Sequence, residues 1–390
     1  MTISHWWGNP IHKNYVYAFF KQFAFFSAVL VPFFTDWGHI SMFKVLILQS
    51  WFSVWVFILE IPTGAVADKI GRKHSLVMGS SIIAIATLVY GSVPSFSIFL
   101  LAEFLFAIGY ALNSGADQAL LYDTIKSQGR EEESKQIMGK ADATMLAGMM
   151  VAAPIGSLIA SKYGLNAPQL MTAVPMFIAA FVAWSIPEPR IHSDSQSLHY
   201  LEIIKQGFKS IIHNRVIRTL AFDSVVVSAA AYFVVWFYQP FMKELGIPII
   251  YFGLAHAVLL ISEILVSSNF TFMEKILGTG KSYLRNSALL VTAVFIFAAV
   301  FPHWVSLILL ITIGGGVGYT RATYIASIAN KHIDSKHRAT VLSSIGMLRR
   351  LALVPLNPGI GAIASHSLSL SFLIVALLPL SSLFIKESVE

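Results

Sequence analysis

Long apolar runs constrain the fold of this chain more than any other feature of its sequence. Such runs cover residues 15–36, 43–67, 75–93, 96–117, 138–161, 168–186, 216–241, 249–272, 284–301, 303–327, 339–363 and 367–386. About 20 apolar residues in a helix cross the hydrocarbon core of a bilayer, whereas the strands of membrane β-barrels are shorter and alternate. Of the 390 residues, 56% are hydrophobic and 12% are charged, which leaves too little polar surface for a water-soluble protein of this size. The sequence therefore predicts an all-α integral membrane protein with twelve transmembrane helices.

The longest polar interval divides the predicted helices into six and six. It lies between Pro187 and Asn214. We therefore expect an N-terminal six-helix bundle at 1–186, a linker at 187–214 and a C-terminal six-helix bundle at 215–390. Within the linker, residues 197–213 carry an amphipathic pattern, which predicts a helix that lies along the membrane surface.

The distribution of basic residues predicts the orientation of the chain. If the N-terminus is cytoplasmic, about 20 Lys and Arg residues fall in cytoplasmic segments, against Lys44, Lys162 and Lys243 outside. Short cytoplasmic segments carry such an excess, so we expect both termini and the linker in the cytoplasm and the protein in the inner (cytoplasmic) membrane of the cell. Residues 1–13 lack the pattern of a cleaved signal peptide. The excess of basic residues in cytoplasmic segments accounts for the net charge of +7. We therefore expect the lipid bilayer as a partner and do not expect the protein to bind nucleic acid.

A glycine-bounded cluster of charge separates the second and third predicted helices. Its residues Gly64, Asp68, Lys69, Gly71, Arg72 and Lys73 follow the pattern G-x-x-x-D-[RK]-x-G-[RK]-[RK]. This segment resembles the signature loop of the major facilitator superfamily. The resemblance implies two pseudo-symmetric six-helix bundles that act as a monomer, with a small solute held between them and exposed to each side in turn.

The same resemblance implies a role for the loop in conformational change. Asp68 can lie at the amino end of a helix in the other half and can pair with Arg72. Asp123, at the end of the fourth predicted helix, stands where similar transporters carry the acidic partner of that arginine. We expect Gly64, Asp68, Gly71, Arg72, Lys73 and Asp123 to form a latch that closes in one state and opens in the other, although the loop also serves to fix topology.

Polar residues form a stripe along the fourth predicted helix. Glu103, Tyr110, Ser114 and Asp117 fall at offsets of 0, 7, 11 and 14, which places them on one face if the helix is regular. The related family element has an arginine at the position of Glu103. A carboxylate at this depth is costly when charged, so we expect Glu103, with Asp117 as a further candidate, to bind a proton or a cation. The alternative is a buried glutamate that hydrogen-bonds a neighbouring helix.

Other polar residues of the predicted helices are candidates for a cavity. Glu263 in the eighth helix is a further candidate for coupling. Lys21, Arg349 and Arg350 carry positive charge into the membrane and would favour an anionic substrate if they face the cavity. Tyr232, Tyr319 and Thr323 are the remaining cavity candidates.

The residue types exclude several classes of function. The chain has no cysteine, and it has no phosphate-binding loop that would indicate an ATPase. No catalytic pair stands out, so we expect no enzyme, cofactor or metal site. The segment Ala153-Pro154-Ile155-Gly156 resembles part of an element of proton antiporters, without the glycine before the proline. The sequence thus predicts a secondary transporter of a small organic solute, with proton-coupled export as the first hypothesis and import or exchange of a metabolite or organic anion as the alternative.

Overall fold

The computed structural model describes residues 7–189, 200–333 and 338–384, which are almost entirely helical and contain no strand. The first part forms α1 Pro10–Lys21, α2 Leu30–Pro32, α3 Met42–Ile70, α4 Arg72–Ser92, α5 Phe96–Asn113, α6 Ala116–Ser127, α7 Ser134–Tyr163 and α8 Ala167–Ser185. Then follow α9 Tyr200–His213, α10 Arg215–Glu244, α11 Phe252–Ser268, α12 Phe270–Leu277, α13 Lys281–Val300, α14 Trp304–Leu309, α15 Gly316–Ala329, α16 Arg338–Ala364 and α17 Leu368–Ser381.

Most of these helices are long and apolar enough to cross a membrane. Nine helical segments in the described ranges meet this condition, and a tenth forms if the bent pair Pro10–Ala28 and Leu30–Trp37 is one span. Helix α17 is apolar but has only 14 residues, and α16, which carries three arginines, is not among the nine. The predicted all-α membrane fold is confirmed, while the number of twelve spans stays a prediction.

Three of the predicted spans are interrupted rather than continuous. The first bends by 60°. The fourth stops at Asn113 and restarts as α6, because Ser114 is extended and Gly115 has a φ of 75°, a left-handed conformation that favours glycine. The tenth contains a π-helical turn at Leu310–Gly315 between α14 and α15. A side chain beyond such a break no longer points where a regular helix would place it.

The chain packs into two compact units. Unit 1 comprises residues 1–39, 51–198 and 249–257, and unit 2 comprises 40–50, 199–248 and 258–390. The boundaries expected from the sequence, at residues 186 and 215, stay a prediction.

Unit 1 has two buried clusters that fix its helices. One joins Tyr17 of α1 to Leu76, Leu120 and Val182 of α4, α6 and α8. The other is aromatic and packs Phe33, Phe34 and Phe99 around Tyr90, with ring centroids 5.4–6.1 Å apart. Such offset and edge-on pairs hold rings in fixed positions, so they define the orientation of the helices that carry them.

A buried cluster of unit 2 lies near the start of α10 and the end of α15. Ile217 and Leu220 of α10 pack there with Tyr283 and Tyr324 of α13 and α15, whose ring centroids are 3.9 Å apart. The Tyr324 hydroxyl donates to Glu274 Oε1 at 2.7 Å and accepts from the backbone N–H of Gly280 at 3.0 Å. These bonds anchor the segment between α12 and α13 to α15.

Candidate functional site

Unit 1 encloses a cavity of about 700 Å³. Its lining comes from α1, α4, α5, α6, α7, α8 and the turns after α1 and α5. The polar lining residues include Asn14, Tyr17, Lys21, Gln22, Tyr110, Asn113, Ser114, Asp117, Gln118, Asp142 and Thr172. This volume lies within the range of about 300–1,000 Å³ that is usual for sites of small molecules.

The broken helices place opposite charges at the cavity. Lys21 lies in the last turn of α1, and Asp117 lies in the first turn of α6, directly after the break at Gly115. Each charge is favourable there, because a helix carries partial negative charge at its C-terminus and partial positive charge at its N-terminus. Lys21 Nζ and Asp117 Oδ2 form an ion pair, and Asp117 Oδ1 accepts from the backbone N–H of Gln118 at 2.7 Å. The C-terminus of α1 therefore stabilises the charge of Lys21, and the N-terminus of α6 stabilises the charge of Asp117.

Asp142 of α7 adds a second carboxylate to the cavity. It is exposed to the cavity space and has Lys21 and Asp117 as electrostatic neighbours. Among the described residues no other Lys, Arg, Asp or Glu lines the cavity, so this part of the lining holds two carboxylates against one ammonium group. With all three groups ionised, the lining carries one net negative charge, which favours a cation.

One part of the lining is apolar and adaptable. Met138, Met145 and Met176 contribute thioethers, and Phe26 and Phe106 contribute rings that pack edge to face at 6.0 Å. The Gln22 amide lies 3.9 Å from Met145 Sδ. Methionine side chains fit irregular shapes and interact well with aromatic groups. The cavity therefore offers an apolar wall beside its charged groups.

Glu103 lies outside this cavity, contrary to the expectation that it shares a face with three other polar residues. Tyr110, Ser114 and Asp117 do line the cavity, whereas the Glu103 residue is 6% exposed and hydrogen-bonds Tyr90 of α4. Glu103 and Tyr110 lie two turns apart on the unbroken helix α5, so Glu103 is separated from the cavity by its position along the helix, and the break at Gly115 removes only Asp117 from the regular spacing. The placement of Glu103 matches the alternative of a buried glutamate bonded to a neighbouring helix.

The candidates of the second half all lie in unit 2. Glu263 and Tyr232 are electrostatic neighbours of Tyr319, so the structure brings these three together. Thr323 is exposed. Arg349 and Arg350 are half-buried, and the Nε atom of Arg349 is buried without a hydrogen-bond partner among the described residues.

Unit 2 also contains a buried ion pair that the sequence reasoning missed. Asp223 of α10 is 4% exposed and binds Arg321 of α15 through both carboxylate oxygens. Arg321 Nη1 donates to Ser287 Oγ of α13, so the arginine joins three helices. An arginine within a predicted span was the available signal, because such a charge needs a partner.

The signature loop is tied to unit 1 by two acidic residues. Arg72 Nη1 pairs with Asp123 Oδ2 and also donates to the backbone oxygen of Ala119 at 2.9 Å. Glu188, which the sequence reasoning did not single out, accepts from the backbone N–H groups of Arg72 and Lys73 at the start of α4. The expected pairing of Asp68 with Arg72 is absent, since Asp68 is exposed and Asp123 occupies the arginine.

The loop glycines lead to a prediction about stability. Gly71 has a φ of 99°, and a Cβ added there would lie 2.5 Å from Glu188 Oε2. We expect Gly71→Ala to lower the free energy of unfolding by about 1–3 kcal/mol, because the backbone is strained and the Glu188 cap is displaced. Unfolding of the purified protein in detergent measures the change.

Gly64→Ala is the matched control for this substitution. A Cβ at Gly64 meets nothing within 4 Å, and the residue lies inside α3. Alanine stabilises a helix interior relative to glycine, so the control should match or exceed the wild-type stability. Equal stabilities for the two variants would contradict the role assigned to the backbone of Gly71.

Comparisons with known proteins agree with one another. A sequence model of the Major Facilitator Superfamily matches residues 15–355. The human synaptic vesicular amine transporter is 25% identical over 134 residues, which is 34% of this chain and 26% of that protein. The chain thus matches about a quarter of the length of this relative.

Solved transporter structures have a similar fold. The nucleoside transporter NupG has a TM-score of 0.79 at 14% identity, with 97% of this chain and 100% of that chain covered. A bacterial homologue of the human lysosomal transporter Spinster has a TM-score of 0.74 at 16% identity, covering 97% and 95%. A POT family transporter in complex with 5-aminolevulinic acid has a TM-score of 0.72 at 11% identity, covering 95% and 94%. At these identities the likeness is one of fold.

Proposed function

The chain belongs to the major facilitator superfamily, and on that basis we propose that it exports small organic cations in exchange for protons. It is a multi-pass membrane transporter and not an enzyme. We further propose that the protein lies in the inner membrane with both termini in the cytoplasm, works by alternating access and is a monomer. The cavity of unit 1 is the proposed binding site.

One observation carries the choice of a cation. Asp117 and Asp142 line the cavity together with a single cationic group, Lys21. An organic ammonium group next to Asp142 would balance the remaining negative charge without displacing the Lys21–Asp117 ion pair. The name of the vesicular amine transporter, a distant relative over part of the chain, agrees with this substrate class.

The apolar lining supports a substrate with an aromatic or aliphatic body. Three methionines and the rings of Phe26 and Phe106 surround the charged groups. Burial of apolar surface contributes about 25 cal/mol per Å², so the body of the substrate would supply much of the affinity and the ammonium group would orient it. We therefore propose a lipophilic cation in preference to a small hydrophilic one.

Exchange of the cation for a proton would follow because both compete for the same carboxylates. A proton bound at Asp142 or Asp117 removes the negative charge that a cation needs, so proton and substrate would occupy the site in turn. A one-for-one exchange of a proton for a monovalent cation moves no net charge, so the pH gradient would drive it, with about 1.4 kcal/mol, or a tenfold accumulation, for each pH unit. Glu103 and Glu263 remain secondary candidates for this coupling.

The signature loop would act as the latch of the transport cycle. Arg72 and Asp123 form their ion pair here, whereas Gly64 faces open space and Asp68 is exposed. We propose that Asp68, Gly64 and Lys73 gain partners in another state of the cycle. The bonds of Glu188 to the start of α4 would keep the loop in place between states.

Ligand-dependent stability of the purified protein tests the substrate class. The panel contains tetraphenylphosphonium, a sugar, a neutral amino acid and an organic dicarboxylate, all at the same ionic strength. A ligand at 100 times its dissociation constant stabilises a folded protein by about 2.7 kcal/mol. We expect tetraphenylphosphonium to raise the unfolding temperature and Asp142→Asn to remove most of that effect.

Glu132→Gln is the matched control for the charge change. Glu132 is exposed, lies in the short turn before α7 and does not line the cavity.

Stabilisation by the dicarboxylate that is lost in Arg349→Gln would instead favour the alternative, an importer or exchanger of a metabolite or organic anion. The buried, unpartnered Nε atom of Arg349 is the observation that keeps this alternative open.

A further inference from the structure

A second cavity, of about 500 Å³, lies in unit 2 where α9 ends and α10 begins. Ser210 and His213 line it from α9, Arg215 lines it from the first turn of α10, and His332 lines it from the turn after α15. None of these residues belongs to the site proposed for the transported cation.

The charged groups of this cavity have one sign. Among its described lining residues are the guanidinium of Arg215 and the imidazoles of His213 and His332, and there is no carboxylate. Arg215 and His332 are exposed and form no ion pair with a described residue. A concave site that combines an unneutralised guanidinium with two imidazoles and no carboxylate among its described lining residues attracts an anion, since these groups act on the same volume.

The hydrogen-bonding groups suit an oxyanion. Arginine presents several N–H donors in a planar fork that fits phosphate oxygens. His213 Nδ1 lies 2.8 Å from the backbone oxygen of Lys209, which orients the ring and leaves Nε2 for a ligand. A nearby anion favours the protonated imidazole, which donates from both nitrogens.

Exposed apolar side chains that neighbour the cavity residues in the sequence favour a phosphate group that is part of a lipid. Ile212 and Phe222 are 60% and 47% exposed, next to His213 and two turns beyond Arg215. A phosphate group with acyl chains attached would contact the basic cavity and this apolar surface together. Basic pockets next to membrane helices bind anionic lipid headgroups in this way.

We propose that the cavity between α9, α10 and the turn after α15 binds a phosphate group, supplied by the headgroup of an anionic phospholipid. Occupation of the site would tie the end of α9 to α10 and to the turn that contains His332. Anionic lipid is therefore expected to stabilise unit 2 without competing with the transported cation.

Lipid-dependent unfolding of the full-length protein in detergent tests this site. The added probes are phosphatidylglycerol, phosphatidylcholine with the same acyl chains, and inorganic phosphate, at constant ionic strength. We expect phosphatidylglycerol to raise the unfolding temperature and phosphatidylcholine to have little effect. In Arg215→Gln the apparent affinity for phosphatidylglycerol should fall about fivefold, because one positive charge is removed. In His332→Gln it should also fall, because a donor to the phosphate group is lost.

Arg285→Gln is the matched control, because Arg285 is an exposed arginine of unit 2 that does not line the cavity. Arg215→Lys retains the charge and should retain most of the response, which separates loss of binding from a folding defect. If inorganic phosphate stabilises the protein as phosphatidylglycerol does, the phosphate site stands and its ligand is free phosphate. Equal responses to both lipids with none to phosphate, or equal responses of Arg215→Gln and Arg285→Gln, would overturn the proposal.

Discussion

Replacement of Asp223 by asparagine, or of Arg321 by methionine, is expected to destabilise the protein by about 3–5 kcal/mol. Each substitution removes one partner of a buried ion pair and leaves the other charge uncompensated. Arg321 and Asp223 are 1% and 4% exposed, so water does not replace the missing partner. No other single substitution discussed above is expected to affect stability as strongly.

The geometry of the pair explains the size of the effect. Arg321 Nε donates to Asp223 Oδ2 at 2.9 Å and Nη2 donates to Oδ1 at 2.6 Å. The third nitrogen, Nη1, donates to Ser287 Oγ. Bidentate charge-assisted bonds of this kind are about twice as strong as neutral hydrogen bonds, and they offset the cost of removing both charges from water.

The double variant Asp223→Leu with Arg321→Met distinguishes an ion-pair effect from a packing effect. It leaves no unpaired charge, so unfolding in detergent should show much of the lost stability recovered. Arg130→Gln provides a control, because Arg130 pairs with Glu133 at an exposed position and its loss should change stability little. A double variant as unstable as the sum of the single variants would contradict this interpretation.

Replacement of Asp117 by asparagine is expected to abolish proton-driven accumulation of the transported cation. The change removes the partner of Lys21 and makes the net charge of the lining zero. Because the lining then has no net negative charge, binding of the cation should weaken by about 1.5–3 kcal/mol, which is roughly a ten- to hundredfold change in affinity. The remaining carboxylate, Asp142, would then face an unpaired Lys21.

Proteoliposomes separate coupling from binding. Uphill uptake driven by an imposed proton gradient measures coupling, and counterflow without a gradient measures binding and conformational exchange. We expect Asp117→Asn to lose uphill uptake and to keep a weakened counterflow. The double variant Lys21→Met with Asp117→Asn should partly restore counterflow. If Glu103→Gln loses driven transport and Asp117→Asn keeps it, the coupling site is Glu103 and the cavity carboxylates only bind substrate.

The fold class followed from the sequence because its determinants are local. Apolar runs of bilayer length predict membrane helices wherever they occur, and the loop from Gly64 to Lys73 is contiguous. The same local reasoning identified Lys21 and Asp117 as charges within the membrane. The resemblance of the loop to the family signature implied Asp123 as a partner for Arg72, and the structure contains that ion pair.

Tertiary structure decided which of these residues share a site. Lys21 and Asp117 are 96 residues apart and meet because α1 ends and α6 begins beside the same cavity. Asp223 and Arg321, 98 residues apart, pair in the same manner between α10 and α15. The periodicity of one helix gives no information about which other helix packs against it. The pairing of Arg321 with Asp223 and the position of Asp142 in the cavity lining could therefore not be predicted.

Glu103 shows the limit of sequence reasoning most clearly. Its alignment with Asp117 assumed a regular helix, but Gly115 adopts a φ of 75° and separates α5 from α6. The sequence determined that this chain is a helical membrane protein of a transporter family and which charged residues lie within its helices. Only the tertiary structure decided which charges meet in a cavity and which are buried, because that depends on breaks in the helices and on packing between distant segments.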